Sequence, residues 1–272
     1  MTNAPQPWPV LQAPAHWHTI DFISDLHLHA SQPRTLRAWQ NYMAQTRADA
    51  LFILGDLFEV WVGDDALDPA GSADDPDAEF ERRCVRTLAD TGRRLDLHFM
   101  HGNRDFLAGA ALMAACNMRL LPDPTIVLFG ARRWLLSHGD ALCLDDTDYL
   151  RFRAEVRSAG WQQSFLAKPL AQRRLLAAQM RSQSEARKQR GQADADVDPQ
   201  AALQWLQAAG ASSLIHGHTH RPARHALGQG LERIVLSDWD AGALPARTEV
   251  LRIALQGDAA AGAAQRIPAA LA

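Results

Sequence analysis

Short apolar runs alternate with amphipathic stretches through the first half of the chain. Ile20–Ile23, Leu51–Leu54 and Leu95–Met100 read as buried strands. Pro33–Arg47 has helical composition with Leu36, Trp39 and Met43 on one face. An acidic loop, Asp64–Asp77, leads to a helix at about Ala78–Ala89, and an Ala-rich helix is expected near Phe106–Cys116. Thr125–Phe129 and Arg132–Leu136, joined at Gly130, predict a hairpin. From Asp146 to about Asp198 the strand signal stops, and Arg-rich amphipathic helices run with breaks near Gly160 and Pro169. The alternation resumes with a helix at Pro199–Ala209, a strand at Ser213–Ile215 and two or three closing strands. The pattern is that of an α/β fold with a mixed sheet. It divides into an N-terminal extension (1–16), a main domain (17–256) carrying a helical insertion at about 146–198 over the strand ends, and an Ala-rich tail (257–272) expected to fray.

Composition changes this picture little: 272 residues, 47% hydrophobic and 22% charged, suit one large globular domain. Met1–Ala15 lacks the basic-then-apolar order of a secretory signal, and no apolar run approaches the ~20 residues of a membrane span. Cys84, Cys116 and Cys143 are scattered without a Cys-x-x-Cys pair and read as buried thiols of a reducing cytoplasm. Charge is more informative. Residues 151–190 hold ten basic and two acidic side chains, a segment of +8 in a chain of net −3.

Five polar blocks stand at strand ends: Asp25-Leu-His27, Gly55-Asp56, Gly102-Asn103-Arg104-Asp105, Ser137-His138-Gly139-Asp140 and His216-Gly217-His218-Thr219-His220. In open α/β sheets ligands bind outside the carboxyl ends of strands, so such blocks converge. Each alone has a plainer reading as a turn or cap, Asp105 as a helix N-cap among them. Asp25 and His27, one residue apart, point to the same side of an extended strand end. Asp56 offers two oxygens, Asn103 an amide oxygen, and His138, His216 and His218 imidazole nitrogens. Seven ligands are too many for one tetrahedral site and suit two ions sharing Asp56, roughly 3.5–4 Å apart. One ion takes Asp25, His27, Asp56 and His218; the other takes Asp56, Asn103, His138 and His216. Carboxylate, amide and imidazole without thiolate favour Mn²⁺ or Fe²⁺, with Zn²⁺ and Co²⁺ open.

The order Asp-x-His, Gly-Asp, Gly-Asn-x-Asp, His-Gly, Gly-His-x-His resembles that of the calcineurin-like metallophosphoesterases, over most of residues 19–253. The longer strings Ser24–Leu28, Leu54–Asp65, His101–Leu107 and Ile215–Pro222 resemble the branch that splits the diphosphate of UDP-2,3-diacylglucosamine in lipid A biosynthesis. That resemblance implies an α/β sandwich with mixed sheets and a helical cap, holding two divalent ions, Mn²⁺ foremost. It implies metal-hydroxide attack at the phosphorus next to uridine, giving UMP and a diacylglucosamine 1-phosphate. It assigns substrate contacts to Asn103, Arg104, Asp146, Ser184, Lys188 and His216. Many metallophosphoesterases carry a histidine where Arg104 stands. A guanidinium there clamps phosphate oxygens rather than donating a proton, the plainer reading being a salt bridge to Asp105 or Asp140.

The insertion fits the same substrate. Phe152, Trp161, Phe165, Leu170 and Met180 recur at helical spacing among the arginines, so one face can pack on the core or receive acyl chains. The other can meet anionic headgroups at the cytoplasmic face of the inner membrane, making the protein peripheral there. The main alternative is another metallophosphoesterase acting on nucleotides, dinucleoside polyphosphates or nucleic acid. No interleaved aromatic platform favours nucleic acid, and no protein partner is implied.

Overall fold

The computed structural model describes residues 8–70, 72, 75–189, 195–256 and 260–272, side chains 183–189 excepted. Its elements run β1 (Val10–Gln12), β2 (Thr19–Ile23), α1 (Pro33–Gln45), β3 (Ala50–Leu54), α2 (Pro76–Gly92), β4 (Asp96–Met100), α3 (Ala110–Cys116), β5 (Met118–Leu121), β6 (Thr125–Phe129) and β7 (Arg132–Leu136). Then come α4 (Thr147–Val156), α5 (Ala159–Leu166), α6 (Leu170–Gln189), α7 (Pro199–Ala209), β8 (Ser213–His216), β9 (Ala223–Gly228), β10 (Leu231–Val235), β11 (Glu249–Gln256), β12 (Ala260–Ala261) and β13 (Gln265–Pro268).

Two mixed sheets form. One has the order β12-β11-β2-β3-β4-β5 with β13 also on β11; the other is β1-β6-β7-β8-β10-β9. β2, β3 and β4 are mutually parallel and almost wholly buried, which explains their continuous apolar runs. Phe22, Phe52, Met100, Trp134, Ile215 and Ile253 belong to the layer of apolar side chains between the sheets. A second apolar layer lies under α1–α3 and a third under α7. The parallel strands deliver Asp25, Asp56 and Asn103 from one sheet to the edge where β7 and β8 of the other deliver His138 and His218.

Three expectations change. The helix near Phe106–Cys116 starts only at Ala110, because Asp64, from the distant acidic loop, accepts the amides of Gly109 at 2.9 Å and Leu112 at 3.0 Å. Five strands rather than two or three follow α7 beyond β8, and residues 260–272 pair on β11 with Ala264 and Ala269 buried, where fraying was expected. Part of the N-terminal extension joins a sheet, since β1 pairs with β6.

The insertion is seated by ion pairs. Buried Arg173 binds Asp65 and the Val62 carbonyl, while Arg174 holds Asp75 at 2.6 Å and Glu81 at 2.8 Å. Arg153 reaches Asp140 at 2.8 Å. Much of the basic segment is therefore neutralised within the molecule rather than presented outward.

His98 lies buried on β4, stacked on Phe52 at 4.7 Å, and neither ring nitrogen has a hydrogen-bond partner. Burial pushes its pKa down to about 4, outweighing nearby Asp96. The unfolded chain, near 6.5, binds the proton that the folded chain refuses, so stability falls as pH drops from about 6.5 toward 4. His98→Phe should flatten that slope in urea unfolding measured across the window; an unchanged slope would assign it to other groups.

Candidate active site

The backbone at the strand ends is left-handed where side chains are needed. Asp25 (φ 54), His27 (φ 47), Asp56 (φ 53), His218 (φ 67) and His220 (φ 51) all adopt it, a region that non-glycine residues enter at a cost. Asp25 and His27 thus converge through a tight turn, not through the pleat of an extended strand. Neighbouring loops are tied together: Asp25 N–H donates to the Gly55 carbonyl at 3.1 Å and His27 N–H to that of Asp56 at 3.0 Å. Asp105, fully buried, accepts the amides of Leu57 and Gly102 at 2.8 Å each and that of Asp56 at 3.3 Å. It joins the Gly-Asp and Gly-Asn loops rather than capping a helix. Glycine is required at 102 because a Cβ there would strike the Asp56 carboxylate.

Of the seven sequence-derived ligand candidates, six come together. Asp56 sits between two imidazoles, its Oδ2 3.9 Å from His27 Nε2 and its Oδ1 3.9 Å from His138 Nε2. Asn103 Oδ1 lies 3.1 Å from His138 Nε2 and 2.9 Å from His218 Nδ1. The seventh, His216, does not join. It is the last residue of β8, in register with Val235, and its Nδ1 bonds the Gly217 carbonyl at 2.9 Å. His220, which the sequence reading passed over, takes the place beside Asp25 that was assigned to His218. Its Nε2 is 3.4 Å from Asp25 Oδ1 and 3.3 Å from His27 Nε2. Among the described residues, Asp25–His27–His220 and Asp25–Asp56–His138 are the groups compact enough to share a cation. The signal was present in the sequence: His218-Thr219-His220 repeats the one-residue spacing of Asp25-Leu26-His27.

The electrostatics call for positive charge. Burial drives the Asp25 carboxyl upward, but a hydrogen bond and the charges of His220, His138 and His27 outweigh it and hold the pKa well below the carboxylate range. His138 resists burial and rises to about 9 because Asp56, Asp140 and Asp25 surround it. Burial, then Asp56, lifts Asp105 to about 7. Two carboxylates, an amide oxygen and facing imidazoles without thiolate form a donor set that fits hard-to-borderline divalent cations.

Around this cluster stand residues of the insertion. Tyr149 stacks on His218 at 5.9 Å and donates its hydroxyl to Asp140 at 2.6 Å. Arg104 pairs with neither Asp105 nor Asp140; its Nη1 is 3.8 Å from Glu59 Oε1, and its Nε is buried without a hydrogen-bond partner. Glu59 also lies 3.4 Å from His27 Nδ1 and 3.1 Å from Arg181 Nε. Asp146 caps α4 by accepting the Tyr149 amide at 3.0 Å. Ser184 and Lys188 are on α6, outside the described side chains. Asn103, Arg104, Asp146 and Tyr149 line one cavity of about 1320 Å³, which continues between the Phe58–Val62 loop and α4–α6 past Phe80, Phe106 and Trp161.

The profile of the calcineurin-like phosphoesterases matches residues 18–222. The UDP-2,3-diacylglucosamine hydrolase of Cellvibrio japonicus is 45% identical over 224 residues, spanning 80% of this chain and 90% of that protein. Its counterpart from Chromobacterium violaceum is 46% identical over 232 residues, spanning 82% and 91%. Among solved structures, an archaeal phosphodiesterase aligns over 92% of this chain and 98% of its own with a TM-score of 0.46 at 10% identity. With two sheets delivering the phosphoesterase motifs to one edge, the chain belongs to the calcineurin-like phosphoesterases and, among them, to the family of the UDP-2,3-diacylglucosamine hydrolases.

Proposed function

We propose that the chain hydrolyses the diphosphate of UDP-2,3-diacylglucosamine, releasing UMP and 2,3-diacylglucosamine 1-phosphate for lipid A synthesis. The observation that carries this reading is the cavity that reaches the carboxylate–imidazole cluster through Asn103, 3.1 Å from His138 and 2.9 Å from His218, and runs from there past Phe58, Val60, Trp61, Phe106 and Trp161. Its volume of about 1320 Å³ exceeds the ~300–1,000 Å³ of ordinary small-molecule sites, as a two-chain lipid requires.

Asp25, His27, Asp56, Asn103, His138, His218 and His220 would hold two divalent cations, Mn²⁺ foremost. Bound there, the ions supply Lewis-acid polarisation of phosphoryl oxygens and activation of water. In the reaction, water oxygen bonds to the phosphorus next to uridine and the proton it loses passes to solvent. The bond from that phosphorus to the bridging oxygen breaks, and the bridging oxygen leaves with the lipid 1-phosphate. Arg104 sets its guanidinium against the diphosphate oxygens as negative charge gathers on them. A permanently charged fork suits this role because a sugar 1-phosphate leaves with little need of a proton. Asp146, at the cavity wall, receives polar groups of the glucosamine, with Ser184 and Lys188 assigned to the same side by family pattern.

The acyl chains keep this substrate in a bilayer, so loading brings the protein to the cytoplasmic face of the inner membrane. No helix among the described residues is long and apolar enough to cross it. Leu144, Phe152, Leu166 and Leu175 expose apolar side chains in and just before the insertion and suit contact at the interface.

Metal-stripped protein should release UMP from UDP-2,3-diacylglucosamine only after Mn²⁺ is added and should leave UDP-GlcNAc intact; equal turnover of UDP-GlcNAc would defeat the lipid reading. Asp56→Ala should abolish UMP release with the circular dichroism spectrum preserved. Arg104→Ala should lower kcat/KM by about 10²–10³-fold while Mn²⁺ binding, measured by calorimetry, persists. In the same titration His220→Ala should weaken Mn²⁺ binding by about tenfold or more and His216→Ala much less. The reverse order would restore His216 as the ligand.

A further inference from the structure

The wall that α6 gives to the cavity has a pattern the hydrolase reading does not use. Arg174, Ala177, Ala178 and Arg181 stand at i, i+3, i+4 and i+7, one face of the helix, and all four line the cavity. Arg181 marks the reacting end, 3.1 Å from Glu59, which itself lies 3.4 Å from His27. Arg174 stands two turns back along the helix, roughly 10 Å away. There its Nε meets Asp75 at 2.6 Å, and its two terminal nitrogens meet Glu81 at 3.0 and 2.8 Å. Glu81 is only 3% exposed, and its neighbour Phe80 also lines the cavity. Between the two arginines the cavity-lining residues of α6 are Ala177, Ala178 and Met180, all of them apolar.

We propose that this face is the ruler for acyl-chain length: the alanines form the trough, and the Arg174–Glu81–Asp75 ion cluster is its floor. The inference rests on the substrate reading above. A methylene that finds apolar cover gains roughly fourfold in affinity, so binding strengthens as a chain extends along Ala177 and Ala178. At the floor the gain stops. Every nitrogen of the Arg174 guanidinium already faces a carboxylate, so a chain that extends this far meets a closed ion cluster. Pushing it apart would strand a buried charge. The same saturation leaves Arg174 nothing with which to recruit a phosphate, which separates it from the arginines at the reacting end.

The test is kcat/KM for UMP release by the Mn²⁺-loaded full chain, using UDP-diacylglucosamines whose acyl chains lengthen in steps. Wild type should improve with length and then break off sharply. Ala177→Phe fills the trough and should move the break to shorter chains, lowering the long-to-short ratio by about tenfold. The double variant Glu81→Met/Arg174→Met replaces the charged floor with apolar side chains and should move the break the other way; it carries the test even if Ala177→Phe fails to fold. An unchanged ratio in the double variant, with wild type still releasing UMP, overturns the ruler and leaves the hydrolase. Absence of UMP from wild type at every length overturns the substrate reading and the ruler together.

Discussion

Four carboxylates, Asp25, Asp56, Asp105 and Asp140, are buried where the ends of the two sheets meet. Burying one unpaired charge is costly, and burying four side by side is possible only if each is answered. Asp105 is answered by three backbone amides, while burial and Asp56 push its pKa up to about 7. Asp140 draws in Tyr149 and Arg153 from the insertion. Asp25 takes the Ser24 hydroxyl at 2.5 Å and the His218 amide at 2.9 Å. Asp56 takes the Arg104 amide at 2.8 Å and faces the imidazoles. The position of each loop follows from this accounting of charge, and the surplus negative potential at its centre is the physical reason the site suits cations.

The same bookkeeping governs the insertion. Its net positive charge in sequence suggests an outward basic face, yet Arg153, Arg173, Arg174 and Arg181 point inward to Asp140, Asp65, Glu81 and Glu59. Two charge-biased segments far apart in sequence, the acidic loop and the basic helices, compensate each other. Arg173 shows how tightly: it is among the largest fully buried side chains, which only its pairing with Asp65 and two carbonyls permits.

Much of this was legible in the sequence because its signals are local. Apolar runs identify β2, β3, β4 and the β6–β7 hairpin, and α7 is delimited by Pro199 and Gly210. Polar blocks at strand ends identify six of the seven clustered ligands. The errors lie where a long-range partner decides. Whether His216 or His220 faces the cluster depends on where β8 stops, and the partner strand β10 holds His216 in the sheet. The start of α3 depends on Asp64, and the order of the tail depends on β11. Composition could not show that Ala264 and Ala269 have a surface waiting for them. Arg104 was read by its chemistry; its neighbour Glu59 lies inside the Leu54–Asp65 string, but its pairing with Arg104 and His27 becomes visible only in space.

The left-handed turns at Asp25, His27, Asp56, His218 and His220 have a further meaning. Each position is one where glycine would relax the backbone by roughly a kcal/mol, and glycine carries no donor atom. Glycine there would relax the turn and at the same time strip Asp25 and Asp56 of the hydrogen bonds that tie the loops, so the two effects oppose each other at each carboxylate. The donor atoms at this edge of the sheets therefore set a limit on how far its backbone can relax.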